Sequence, residues 1–237
     1  NQAEAKYQTR FETVKVGQEE LHILQIADME SHLDRIFEAT KEDKGLEIPF
    51  WARIWPTSIL LSYYVQRLPA TADLNLLEIG AGIGICGLFA ARQGLRVTIS
   101  DINEDALLFT RINILKNNLQ DKAASARIDF TCDRLESRFD IILGSEILYR
   151  EDTYRPLSKF LGRHLASSKG SEIILAKNYH FKARSFFKIA RKEFDIQERV
   201  IGYKEQSAGD AAEKDKHLSQ IYRMRPRKNQ PPASKPA

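Results

Sequence analysis

Near the start of the chain, Phe11-Glu12-Thr13-Val14-Lys15-Val16 and Glu20-Leu21-His22-Ile23-Leu24-Gln25-Ile26 alternate apolar and polar positions on either side of Gly17-Gln18, the pattern of a β-hairpin. Ile59, Leu60, Tyr63, Tyr64 and Leu68 then recur at helical spacing, predicting a helix over 57–68, after a short helix over 31–40 and a polar loop over 41–48. From Leu74 the order becomes regular. Apolar strands over 74–79, 96–100, 126–131, 139–144, 172–176 and 194–202 are interleaved with helical segments over 85–93, 104–118, 153–165 and 182–192. The polar stretch 203–217 is too short and charged for a crossover helix, so the last apolar run, 218–224, is expected to return as an antiparallel hairpin partner. The expected fold is α/β: a seven-stranded, mostly parallel sheet with an antiparallel last strand, helices on both faces and an N-terminal β-hairpin extension. The expected division is an extension over 1–72 packed on a core over 73–226, then a disordered basic tail over 227–237.

Composition narrows the class only modestly. A chain of 237 residues with 43% hydrophobic and 29% charged positions is ordinary for a globular protein able to bury a full core. No apolar run reaches the roughly 18 residues of a spanning helix, and Asn1 to Arg10 lacks a basic-then-apolar leader pattern, so a soluble, cytoplasmic protein without membrane contact is expected. Cys86 and Cys132 are too few for a disulfide framework, and neither they nor the histidines show ligand spacing, so no metal is expected. Much of the +4 net charge sits in Arg223, Arg225, Arg227, Lys228 and Lys235, among prolines; this reads as a solvated end, so no nucleic-acid partner is expected on charge grounds.

The densest chemistry lies in Leu76-Leu77-Glu78-Ile79-Gly80-Ala81-Gly82-Ile83-Gly84-Ile85-Cys86-Gly87, followed by a second strand ending at Asp101. Glycines at alternate positions let backbone approach a ligand where a strand turns into a helix, and a carboxylate at the next strand end can accept two hydrogen bonds from a ribose diol. The loop lacks the Lys-Ser/Thr of a phosphate-gripping loop. Gly82 to Gly87 fits GxGxxG literally, which leaves a dinucleotide-binding oxidoreductase open, but the match begins late, and Glu78 with the glycines forms ExGxGxG. A second cluster, Ser145-Glu146-Ile147-Leu148-Tyr149, follows an apolar strand with a carboxylate and a phenol three residues apart. Such an acid could orient an amine, or could merely cap the next helix. A third, Pro49-Phe50-Trp51-Ala52-Arg53-Ile54-Trp55-Pro56, holds both tryptophans of the chain, as core filling or as ligand wall.

These three clusters, in this order, resemble class I S-adenosylmethionine-dependent methyltransferases with a Rossmann-like fold, and within them methyltransferase family 16, the protein-lysine branch. The resemblance is strongest from Pro49 to Tyr149. It implies S-adenosyl-L-methionine as cofactor, held by Trp55, Glu78, Gly80, Ala81, Gly82, Gly84, Asp101, Ile102, Cys132 and Ser145, with Glu146 and Tyr149 as catalytic residues and a lysine-bearing protein as substrate. Arg53 would reach the cofactor carboxylate. Two departures stand out: the usual Asp of the [D/E]xx[Y/F] signature is Glu146, and the usual Asp-Trp pair of the adenine loop is replaced by Thr131-Cys132. A small-molecule or nucleic-acid methyltransferase shares the same cofactor half, although the Asn/Asp-Pro-Pro-Tyr/Phe loop of base methyltransferases is missing. A non-catalytic binding module that keeps the fold is a further alternative.

Overall fold

The computed structural model describes residues 2–39, 49–68, 74–204 and 216–227. The expected loop over 41–48 and nearly all of the expected basic tail lie outside them. Among the described residues no helix is long and apolar enough to cross a membrane.

The sheet has seven strands: β3 (Asn75–Glu78), β4 (Arg96–Asp101), β5 (Ala123–Arg127), β6 (Ile141–Ser145), β7 (Glu172–Asn178), β8 (Phe194–Lys204) and β9 (Lys216–Pro226). Their spatial order is β5-β4-β3-β6-β7-β9-β8, with β9 antiparallel to both neighbours and the other pairings parallel. The strand order switches direction at β3, which lies between β4 and β6. Crevices at the carboxyl ends of such strands are where open α/β sheets bind ligands. The central strands read Leu76-Leu77 and Ile141-Ile142-Leu143, buried on both faces, as a sheet covered by helices on each side requires.

The helices are α1 (Gln2–Lys6), α2 (Met29–Ala39), α3 (Pro56–Val65), α4 (Ile85–Arg92), α5 (Glu104–Lys116), α6 (Tyr154–His164) and α7 (Arg184–Ala190). Pro56 occupies the first turn of α3, where its missing N–H costs nothing. Asn103 caps α5, its side-chain oxygen accepting from the amides of Asp105 and Ala106.

The hairpin of β1 (Thr9–Val16) and β2 (Glu19–Ile26) forms with full register. Its outer edge is completed by side chains instead of a third strand. Asn117 accepts from the His22 amide and donates to the His22 carbonyl, both at 2.8 Å, while Asn113 accepts from Leu24 and donates to Ile83. These two asparagines thus tie the hairpin to the helix that follows β4.

One strand lies elsewhere than the sequence pattern suggests. Strand β5 is Ala123–Arg127, not 126–131. Ala-Ala-Ser-Ala-Arg has none of the branched or aromatic residues that mark a strand, and it holds its place by parallel pairing with β4. Ile128 and Phe130, whose apolarity suggested the later span, belong to the loop beyond it.

Candidate active site

The carboxyl ends of β3, β4 and β6 open into a cavity of about 830 Å³. On one side is the glycine loop. Gly80 and Gly82 adopt φ of 58° and 56°, and a Cβ on Gly82 would stand 2.6 Å from the carbonyl oxygen of Trp51. The loop therefore runs against the backbone of the tryptophan segment, and only glycine fits there. Asp101 secures the loop from the neighbouring strand, one carboxylate oxygen accepting from Gly82 N at 2.8 Å and the other from Asn103 N at 2.9 Å.

Glu78, at the end of β3, is 2% exposed yet contributes to the cavity wall. Its Oε2 accepts from Gly87 N at 2.7 Å. Burial pushes its carboxyl up to about 7, against the pull of hydrogen bonds from Gly87 and Cys86.

The tryptophan segment closes the opposite side. Trp55 donates from Nε1 to the Phe50 carbonyl at 3.1 Å, and the Arg53 guanidinium lies 5.0 Å from the Trp55 ring centroid. Trp51 is both core and wall: its ring packs edge-on against Tyr7 and Phe109, and it also lines the cavity. Tyr7 in turn donates to Asp105 on α5 at 2.7 Å.

Glu146 follows β6 directly. Its φ of 56° lies in the left-handed region, rarely used by a residue with a side chain. The turn is held by its amide donating to Ala176 at 2.9 Å. The carboxylate, on the cavity wall, accepts the Thr57 hydroxyl proton and the Asn178 amide. Burial raises its pKa above the ordinary carboxylate value, while Thr57, Asn178 and the nearby Lys177 ammonium pull the other way.

Of the residues singled out from the sequence, Trp55, Glu78, Gly80, Ala81, Gly82, Asp101, Ile102, Ser145, Glu146 and Tyr149 meet around this one cavity, as do Trp51 and Arg53. Tyr149 stands at its rim, 68% exposed. Two do not reach it. Gly84, with φ of 83°, forms the N-cap of α4 and packs against Ile99 and Thr110. Cys132 is exposed, with its sulfur beside Asp133. The side chains over the cavity from that loop are instead Ile128, Asp129, Phe130 and Thr131. The displacement has the same origin as the misplaced β5: the strand ends sooner, so the loop over the cavity begins sooner. Phe50 lies within the tryptophan cluster and Asn103 beside the Asp101 strand end, both on the cavity wall, whereas Thr57 meets Glu146 only through the fold.

Solved structures share the fold. The Pyrococcus abyssi tRNA (uracil-54, C5)-methyltransferase in complex with S-adenosyl-L-homocysteine aligns with 90% of this chain and 44% of its own, at a TM-score of 0.58 and 14% identity, a likeness of fold alone. The sequence is more specific: the lysine methyltransferase family model matches residues 34–193, and the chain belongs to that family of S-adenosylmethionine-dependent enzymes. Among its relatives, protein N-lysine methyltransferase METTL21A of Mus musculus is 30% identical over 153 residues, 61% of this chain and 69% of that one. A histidine protein methyltransferase 1 homolog of Dictyostelium discoideum is 30% identical over 135 residues, 54% of this chain and 43% of its own.

The cavity suits S-adenosylmethionine. Asp101, Asp129 and Glu146 line it beside the buried Glu78 carboxyl, an acidic environment favourable to a molecule bearing a sulfonium and an ammonium. Ser145 Oγ, buried in the same wall, has no hydrogen-bond partner among the described residues and can serve a ligand. Among the described residues no cluster of side chains could hold a metal ion.

Proposed function

We propose that the chain transfers a methyl group from S-adenosylmethionine to the ε-amine of a lysine in a protein, with Glu146 orienting that amine. Gly80, Gly82, Asp101 and Trp55 would hold the cofactor, Asp101 through the ribose and the glycines through close backbone approach. The cofactor supplies a methyl group on positively charged sulfur, whose leaving group is a neutral thioether. The protein's task is then mostly alignment and handling of a proton.

A lysine side chain arrives as an ammonium and must lose a proton to expose its lone pair. Glu146 accepts a hydrogen bond from the nitrogen and takes the proton onto a carboxylate oxygen, and its raised pKa makes it a stronger proton acceptor than a free glutamate. The carrying observation is the strained Glu146 turn, which holds the carboxylate on the cavity wall with Thr57 and Asn178 fixing its direction.

Glu146→Gln keeps the shape and can still accept from Thr57 but removes the charge. Methyl transfer from radiolabelled S-adenosylmethionine to protein in cell extract should fall by about 10²-fold or more, with cofactor affinity by calorimetry unchanged. Undiminished turnover would refute the role of Glu146, and label recovered on histidine instead of lysine would refute the acceptor.

A further inference from the structure

On the β7–β9 side of Glu146 lies a second, smaller pocket of about 100 Å³. Trp55 and Glu146 line both it and the cofactor cavity, so these two side chains present surface to both spaces. Its volume equals that of about three waters at ~30 Å³ each, room for one slim side chain and not for a ring system with its substituents.

The polar atoms around it are directional. Thr57 Oγ1 donates its single proton to Glu146, and Ser219 Oγ lies 3.0 Å from Thr57 Oγ1, so Ser219 is the donor of that pair. With both hydroxyl protons committed, the oxygens of Ser219, Thr57 and Glu146 present lone pairs alone. Asn178, whose side-chain oxygen is engaged by the His180 amide at 2.9 Å, and His217 complete the polar lining. Leu218 and Pro56 form the apolar part, and Trp55 offers an aromatic wall. Three acceptor oxygens, one of them on the Glu146 carboxylate, beside an indole favour a group rich in N–H donors on an alkyl stem, such as an ammonium or amine, over an anion. Tyr149 is not part of this wall.

We propose that this pocket is the binding channel for the acceptor amine, entered from the β7–β9 side, with Thr57 and Ser219 as acceptor-binding residues. The proposal rests on the reading of Glu146 as the group that orients the amine. It assigns substrate contact to the strand end at Ser219 and to the first turn of α3, neither of which carries a cofactor motif.

The test uses an S-adenosylhomocysteine analogue whose sulfur is replaced by nitrogen bearing an aminoethyl arm, with S-adenosylhomocysteine as reference. The intact chain should bind the analogue more tightly than the reference by about tenfold or more, the worth of a charge-assisted hydrogen bond. Thr57→Val, which preserves shape, and Ser219→Leu, which fills the pocket, should bind the reference as the unaltered chain does and lose the gain. Absence of the gain in the unaltered chain, or its full persistence in either variant, overturns the proposal. Glu146→Gln separates the two ideas: if it alone abolishes the gain, the channel is wrong and Glu146 retains its role; if it too preserves the gain, both fall.

Discussion

Glu78 gives a quantitative handle on the cofactor side of the site. In the folded protein its carboxyl is raised by burial to about 7, against an ordinary value of 4.5. Over that interval the folded state binds a proton that the unfolded state has released, so unfolding becomes easier as pH rises through it. At ~1.36 kcal/mol per pH unit, the interval corresponds to about 3 kcal/mol of stability present in acid and lost once pH passes 7. Replacing Glu78 by Gln removes the titration while leaving an amide oxygen to accept from Gly87. Urea unfolding followed by circular dichroism at a series of pH values from about 5 to 8 should therefore show variant and parent nearly equal at the acid end. The variant should be more stable by about 2–3 kcal/mol at the alkaline end. Taking the difference between the two proteins cancels the other buried titrating groups, among them Glu146, raised by burial, and His164, lowered by it. Parallel curves across the whole range would refute the assignment of a protonated carboxyl at this position.

Two further substitutions probe the surroundings. Asp101→Ala removes the carboxylate that secures Gly82 and Asn103, and calorimetry should register a loss of S-adenosylmethionine affinity of about tenfold or more; an unaltered dissociation constant would exclude a ribose role. Asn117→Ala strips the hairpin edge of both its bonds at His22 and should cost about 1–3 kcal/mol in urea unfolding, with the cofactor dissociation constant unchanged.

The legible parts of this molecule are those whose cause is local. The alternation of apolar strands with helices follows from neighbouring residues, and so does the final antiparallel strand, since the segment before it is too short for a helix to cross the sheet. Glycine at Gly80 and Gly82, an acid at the next strand end and an acid-to-phenol spacing after β6 can likewise be read without a fold, and the structure collects them around one cavity. What escaped has long-range causes. Strand β5 is a string of small residues made a strand by its partner β4, so its position, and with it the loop that carries Asp129 to Thr131, could not be taken from apolarity. Helix α1 precedes a tyrosine whose partners are Trp51, Phe109 and Asp105. Thr57 meets Glu146 across 89 residues and Ser219 across 162, and nothing in the spacing of any of the three announces the others.

The position of β9 also makes one edge of the sheet depend on a distant segment of the chain. It is the last of the described strands but not the last in the sheet, because it lies between β7 and β8 and pairs with both. Until it enters, β8 has no neighbour, Lys177 lacks the Gln220 side chain that accepts from its ammonium, and Ser219 is absent from Thr57. Strand β3, by contrast, finds both its partners, β4 and β6, within residues 75–145. Such a chain closes its long-range contacts late. The glycine-loop half is built from contacts within residues 75–145, whereas the proposed acceptor pocket needs the last described strand, so loss of that strand removes an interior element and with it the boundary of the small pocket.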